Sequence, residues 1–188
     1  RADQAAKDYD KRIKMALVDY YDEVRSRVIA NSEGVYLRDE LPLLFFIVQA
    51  MSDDGQARHM SRERLSMHSG FEIFDNVTPE IVARNAAREA IAMLGAEEAP
   101  AGIMDVVMQN GWGGVLVHEA VGHPLEADNI AKGIGAFTGK MGQKVAAECF
   151  TMVDDGTLPN FRGTINFDDE GTEVKRNVLI ENGVLKGF

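Results

Sequence analysis

Apolar and polar residues alternate from Arg12 onward, through "RIKMALVDYYDEV" and then "SRVIANSEGVYLRDE". A period of two sends successive side chains to opposite faces of an extended chain. The pattern predicts strands joined by turns, the foremost tight turn lying at Asn31 to Gly34, with Val35 and Leu37 resuming the alternation on its far side. Helix competes over 12–29, because Met, Ala and Leu all favour it. Before these strands, "DQAAKDYDK" at 3–11 reads as the tail of a polar helix. After them, "PLLFFIVQAMS" predicts a buried strand and "DDGQARHMSRERLSMHSG" a loop or exposed strand carrying His59 and His68 as solvated side chains.

Thr78-Pro79 opens the clearest helix. Thr is an N-cap, Pro suits the first helical position, Ile81, Val82, Ile91 and Leu94 mark an apolar face, and Gly95 stops it. "GAEEAPAG" at 95–102 is the one linker-like stretch and the expected domain boundary. Beyond it, "IMDVVMQN" predicts a short buried strand, "GWGG" a turn, and the chain from about Val115 a helix. "KVAAECFTMV" predicts a strand, "DDGT" a turn, "TINF" a strand, and "RNVLIENGVLKGF" a hairpin around Asn182-Gly183. These elements imply an α+β fold of antiparallel sheets with a few helices, in two sub-domains: residues 1–99, an N-terminal α+β domain, and a strand-rich second one over 100–188.

The 188 residues, 45% hydrophobic and 27% charged, suffice for one sizeable core or two small domains. A formal net charge of -10 argues against a protein that grips the phosphates of nucleic acid. The longest apolar run, "LPLLFFIV" at 41–48, is too short to span a membrane as a helix. The chain starts at Arg1 with no charged-then-apolar leader, so no secretory signal is expected. A single cysteine, Cys149, allows no internal disulfide and fits a reducing compartment, with the cytoplasm the expected location.

The chemistry concentrates in "VLVHEAVGHPLEAD" at 115–128, where His118 is followed by Glu119 and then, after three residues, by His123. Chance alone yields such a His-Glu-x-x-x-His pattern roughly 0.01 times in a chain of this size. Zinc-binding helices usually set their histidines four apart, ~40° around the axis, whereas five apart means ~140°. A straight helix would splay the rings. Gly122 loosens the backbone, and Pro124 removes an N–H and crowds the carbonyl of Ala120. A π-type wide turn or a helix end at His123 would then bring the second ring back toward the first. Glu119, beside the first ligand, would serve as general base toward a water that a metal has acidified. Taken alone, the motif is equally compatible with two satisfied histidines and a solvated glutamate.

"GWGGVLVHEAVGHPLEAD", "GKMGQKVAAECFTMVDDGT", "FDDEGT" and "NVLIENGVLKGF" occur in this order over residues 100–188. Together they resemble the TldD branch of the TldD/PmbA metalloprotease family, which also bears the label modulator of DNA gyrase. A looser likeness covers "RIKMALVDYYDEVRSRVIANSEGVYLRDE" and the helix after Thr78. The resemblance implies that His118 and His123 bind zinc, that Glu119 is the catalytic base, and that 100–188 begins a C-terminal catalytic domain. It implies hydrolysis of unfolded or extended peptides, with a PmbA/TldE-like subunit or a second copy as partner. It also implies a third zinc ligand, a cysteine far beyond Phe188, so these residues are expected to be a fragment that binds zinc weakly or not at all and is inactive. Cys149 reads more readily as a small buried hydrophobe than as a substitute ligand. Glu126, Asp128 and Glu148 are minor alternatives. A different reading makes the chain a catalytically silent scaffold or interaction subunit.

"KGIGAFTGKMG" at 132–142 lacks the Gly and Ser/Thr of a phosphate loop, and is expected to be either a mobile loop over the cleft or a flexible connection. "VDDGT" and "FDDEGT" lack the spacing of a calcium loop and read as turns. Trp112 is expected to pack near the start of the motif helix.

Overall fold

The strands expected on either side of Asn31 are β1, Ile13–Ala30, and β2, Tyr36–Asp53, in the computed structural model, which describes residues 1–188. They pair antiparallel from Ile13↔Ser52 to Ala30↔Tyr36. At the turn, the Asn31 side-chain oxygen accepts the N–H groups of Glu33 and Val35 at 3.0 and 3.1 Å, and Gly34 supplies a φ of 89°. Helix loses over 12–29 because the alternation finds a partner strand along its whole length. The polar segment that follows is strand rather than loop: β3, Arg58–Met67, pairs with the other edge of β2 and gives the order β1-β2-β3.

Two helices complete this unit, α1 at Ala2–Lys7 and α2 at Pro79–Met93. Thr78 caps α2 by accepting the Ile81 N–H at 3.4 Å, with Pro79 at the first position. Leu44, Phe46, Val48 and Ala50 of β2 share one buried cluster with Val82, Ala83, Ala86, Ala87 and Ala90 of α2. The alanines let the helix axis approach the sheet closely. Ser52 consequently reaches the Ala90 carbonyl at 2.6 Å, and Ser61 bonds that of Ala86. "PLLFFIVQAMS" is therefore buried fully on its even-numbered face and only half on its odd-numbered one.

Toward the hairpin turn, burial moves to the odd-numbered face, where Asp39 is 5% exposed. Its carboxylate accepts Asn166 Nδ2 at 2.8 Å and Arg27 Nη2 at 3.0 Å. Arg27 also donates to the Phe167 carbonyl at 3.0 Å and lies 4.7 Å from the centre of that ring. Burial pushes the Asp39 pKa up, but the bonds from Asn166 and Arg27 and the Arg27 charge outweigh it and hold the carboxyl below its usual range. "TINF" is not a strand. Its neighbourhood makes only an isolated bridge, Phe167↔Glu173, and its side chains and carbonyls serve the Asp39 cluster instead. His68 is not solvated either: it is half-buried, with Nδ1 2.8 Å from the Pro42 carbonyl and Nε2 2.9 Å from that of Arg162. These contacts belong to a compact unit of Arg1–Ala99 with Thr157–Val174.

The second unit comprises Pro100–Gly156 and Lys175–Phe188. Its sheet has β4, Met152–Asp155, then β5, Arg176–Glu181, then β6, Val184–Leu185, all antiparallel. The expected hairpin turns at Asn182 (φ 48°) and Gly183 (φ 78°), the paired left-handed conformations a two-residue turn needs. "KVAAECFTMV" is strand only at its end. The N–H groups of Val145 and Ala146 both reach the Gly183 carbonyl, at 2.8 and 3.1 Å, while Gly183 N–H donates to Phe150 at 2.8 Å, so the segment wraps the hairpin turn instead of lying beside it. "IMDVVMQN" forms no strand and is not buried: Ile103 and Val107 are fully exposed, because no second strand pairs with this stretch. The fold is thus α+β with antiparallel sheets and few helices.

Candidate metal centre

The turn "GWGG" starts a short helix, α3, at Gly113–Val117, with Gly111 at φ 82°. The next turn, His118–Gly122, is a π-helix in which His123 N–H donates to the His118 carbonyl, five residues back. A 3-10 turn, His123–Leu125, and a further short helix, α4 at Ala127–Ala131, complete the stretch. The wide turn has a local cause. Pro124 has no N–H to give Ala120, so the α-helical ladder is broken at that step. Gly122 contributes less than its flexibility suggests. Its φ of -59° and ψ of -61° suit any residue, and a Cβ there would meet His118 Nδ1 at 3.6 Å, an ordinary contact. Leu125, 2% exposed, anchors the segment in a core with Leu179, Ile180 and Leu185.

The π turn stacks His123 over His118, five positions back. The two imidazoles are 4.5 Å apart between centroids and inclined at 70°, and one ligand atom from each of His118, Glu119 and His123 lies within 4.8 Å of the others. His123 Nε2 is 3.7 Å from Glu119 Oε2, and His123 Nδ1 is 2.6 Å from Glu126 Oε1. The bond to Glu126 raises the His123 pKa most, burial opposes it, and the charges of Glu126 and Glu119 add to the rise. Two imidazoles are donors suited to zinc, and a carboxylate beside them suits a general base. Ligands sharing a tetrahedral zinc stand ~3.4 Å apart. A spread of at most 4.8 Å must contract by up to ~1.4 Å, a side-chain adjustment open to a group as exposed as His123, at 49%. The residues fit such an ion.

The local alternatives for a third ligand do not join this cluster. Cys149 is exposed rather than a buried hydrophobe, Asp128 pairs with Lys132 at 2.9 Å, and Glu126 lies against the Nδ1 edge of His123, while Glu119 lies near Nε2. Glu126 is the residue that sequence reasoning undervalued. Its signal was the His-x-x-Glu spacing across Pro124, which a 3-10 turn brings face to face. Beside the histidines, a cavity of about 830 Å³ is lined on its apolar side by Val117, Leu125, Phe150, Met152 and Leu179. Trp112, expected to pack, is 70% exposed.

Comparison with known proteins bears on this arrangement. Residues 1–94 match the model of the PmbA/TldA metallopeptidase central domain and residues 101–188 that of the PmbA/TldA metallopeptidase C-terminal domain. The metalloprotease TldD homolog of Haemophilus influenzae is 38% identical over 99% of this chain and 40% of its own length. That of Buchnera aphidicola from Acyrthosiphon pisum is 36% identical over 100% and 40%. The chain thus spans well under half the length of these relatives. Among solved structures, a protein described as a modulator of a DNA gyrase from Thermotoga maritima superposes with a TM-score of 0.85 at 26% identity, over 100% of this chain and 42% of that one. TldE from Thermococcus kodakarensis shares the fold, with a TM-score of 0.74 at 20% identity over 100% and 41%.

Proposed function

Because this chain belongs to the PmbA/TldA metallopeptidase family, we propose that its His-Glu-x-x-x-His stretch is part of a zinc-dependent site that hydrolyses extended or unfolded peptides. His118 and His123 would hold the ion with a further ligand from outside these residues. When bound, zinc polarises a peptide carbonyl and makes water more acidic. The Glu119 carboxylate takes the proton of the attacking water and delivers it to the departing amine, so each proton lost at one oxygen reappears on one nitrogen. Val117, Leu125 and Met152, on the apolar wall next to the histidines, receive a substrate side chain.

The observation that carries this reading is the convergence of three donors within 4.8 Å through a π turn, at the spacing where an α-helix would have separated them. As partners we propose a peptide substrate and a second subunit, PmbA- or TldE-like or another copy, in a reducing, cytoplasmic setting. Nucleic acid is no part of the proposal, and no helix is long and apolar enough to cross a membrane. By themselves these 188 residues are proposed to be inactive and to hold zinc weakly, for want of the further ligand. The test is zinc stoichiometry and cleavage of an unstructured peptide by the full-length protein. Each of His118→Ala and His123→Ala should abolish both, as should a chelator. Chelator-insensitive cleavage, or zinc retained by both variants, refutes the site; a full-length wild type that neither takes up added zinc nor cleaves the peptide favours a scaffold subunit.

A further inference from the structure

Resting on the metal-centre reading, we infer that Glu126 is a positioning residue: its carboxylate accepts a hydrogen bond from Nδ1 of His123 and so commits Nε2 of that ring to the metal. The two ring nitrogens face different carboxylates at different ranges. Nδ1 is 2.6 Å from Glu126 Oε1, a short charge-assisted contact, while Nε2 is 3.7 Å from Glu119 Oε2, too long for a hydrogen bond. A neutral imidazole carries one proton. With that proton on Nδ1 and shared with Glu126, the lone pair that remains is on Nε2, the nitrogen nearer the Glu119 carboxylate of the three-residue cluster.

The backbone fixes this pairing. The three residues after Gly122 form a 3-10 turn, in which positions i and i+3 eclipse each other, and Glu126 N–H closes it by donating to the His123 carbonyl at 3.1 Å. Pro124 stiffens the turn, and buried Leu125 pins it to the core. Asn129 Nδ2, 3.4 Å from Glu126 Oε2, steadies the far oxygen weakly. Glu126 therefore cannot also be a ligand without abandoning the ring it orients. It also makes the ligand more basic, as carboxylates behind metal-bound histidines do. The simpler reading, a surface ion pair between residues three apart, predicts no effect on metal affinity and no preferred tautomer.

Two measurements test this. In the intact protein, zinc affinity is read by competition with a chromophoric chelator. Glu126→Ala should weaken it roughly ten- to a hundredfold, whereas Glu126→Gln, whose amide oxygen still accepts from Nδ1, should stay within about threefold of wild type, and Asn129→Ala likewise. Unchanged affinity in Glu126→Ala, or equal losses in the Ala and Gln variants, overturns the inference. The second readout needs no metal. Nitrogen NMR of the histidine rings in metal-free protein, in alkaline buffer where His123 is neutral, should find its proton on Nδ1 in wild type and shifted to Nε2 in Glu126→Ala. A wild-type ring protonated on Nε2 overturns it as well, whatever zinc does. Zinc binding indifferent to His123→Ala would instead overturn the metal-centre reading, so the two failures are separable.

Discussion

Replacing Asp39 by alanine should unfold the first unit at a markedly lower temperature. The carboxylate is 5% exposed and accepts two bonds, from Asn166 at 2.8 Å and Arg27 at 3.0 Å. Its removal leaves an Asn donor orphaned and a guanidinium 18% exposed, whose Nε is already buried without an acceptor. Breaking a buried pair from one side costs about 3–5 kcal/mol. The low end applies here, because Arg27 keeps the Phe167 carbonyl and stands 3.6 Å from the exposed Asp169. A loss of ~3 kcal/mol in a unit of this size lowers Tm by about 10 °C. The effect should also depend on pH. The folded-state pKa of Asp39 is depressed, so its contribution is complete above the unfolded value of ~3.9 and disappears as pH falls through the folded value. Wild type then loses what the variant never had, and the gap between their melting curves closes in acid. Calorimetry of both proteins from neutral to acid pH reads both effects. A neutral-pH difference under ~2 °C, or a gap independent of pH, would refute the reasoning.

Glu119→Gln should leave zinc affinity within a few-fold and reduce kcat roughly 10²–10⁴-fold in the full-length protein; a large loss of zinc would make Glu119 a ligand rather than a base. Gly183→Ala should cost about 2–5 kcal/mol, since the new Cβ would sit 2.5 Å from the Ala146 carbonyl oxygen and 2.7 Å from that of Ala147 at a φ of 78°. Gly34→Ala, also at positive φ but with nothing within 4 Å, is the control. Equal melting temperatures for the two variants would show that the wrapped loop gives way freely.

Much of the candidate centre was legible in the sequence because its causes are local. Pro124 lies within one turn of the histidines it realigns, so the break in the helix, the π turn and the convergence of His118 with His123 follow from neighbouring residues. The Thr78-Pro79 cap, the Asn31 turn and the Asn182-Gly183 hairpin were readable for the same reason: each depends on side chains and φ angles within a few positions. The bond from His123 to Glu126 was equally local, but it becomes visible only once the turn after Gly122 is known to be 3-10 rather than α.

What the sequence by itself determined, then, is the period of each strand, the ends of the main helix and the spacing that bends the motif. Tertiary structure decided which apolar runs become sheet. "IMDVVMQN" and "KVAAECFTMV" have the composition of strands, yet a strand exists only where another backbone lies alongside to take its hydrogen bonds. The first finds none, and the second spends its N–H groups on the Gly183 carbonyl. Likewise the burial of Asp39 depends on Asn166, 127 residues away. No local pattern carries that information, because it resides in which distant surfaces the folded chain brings into contact.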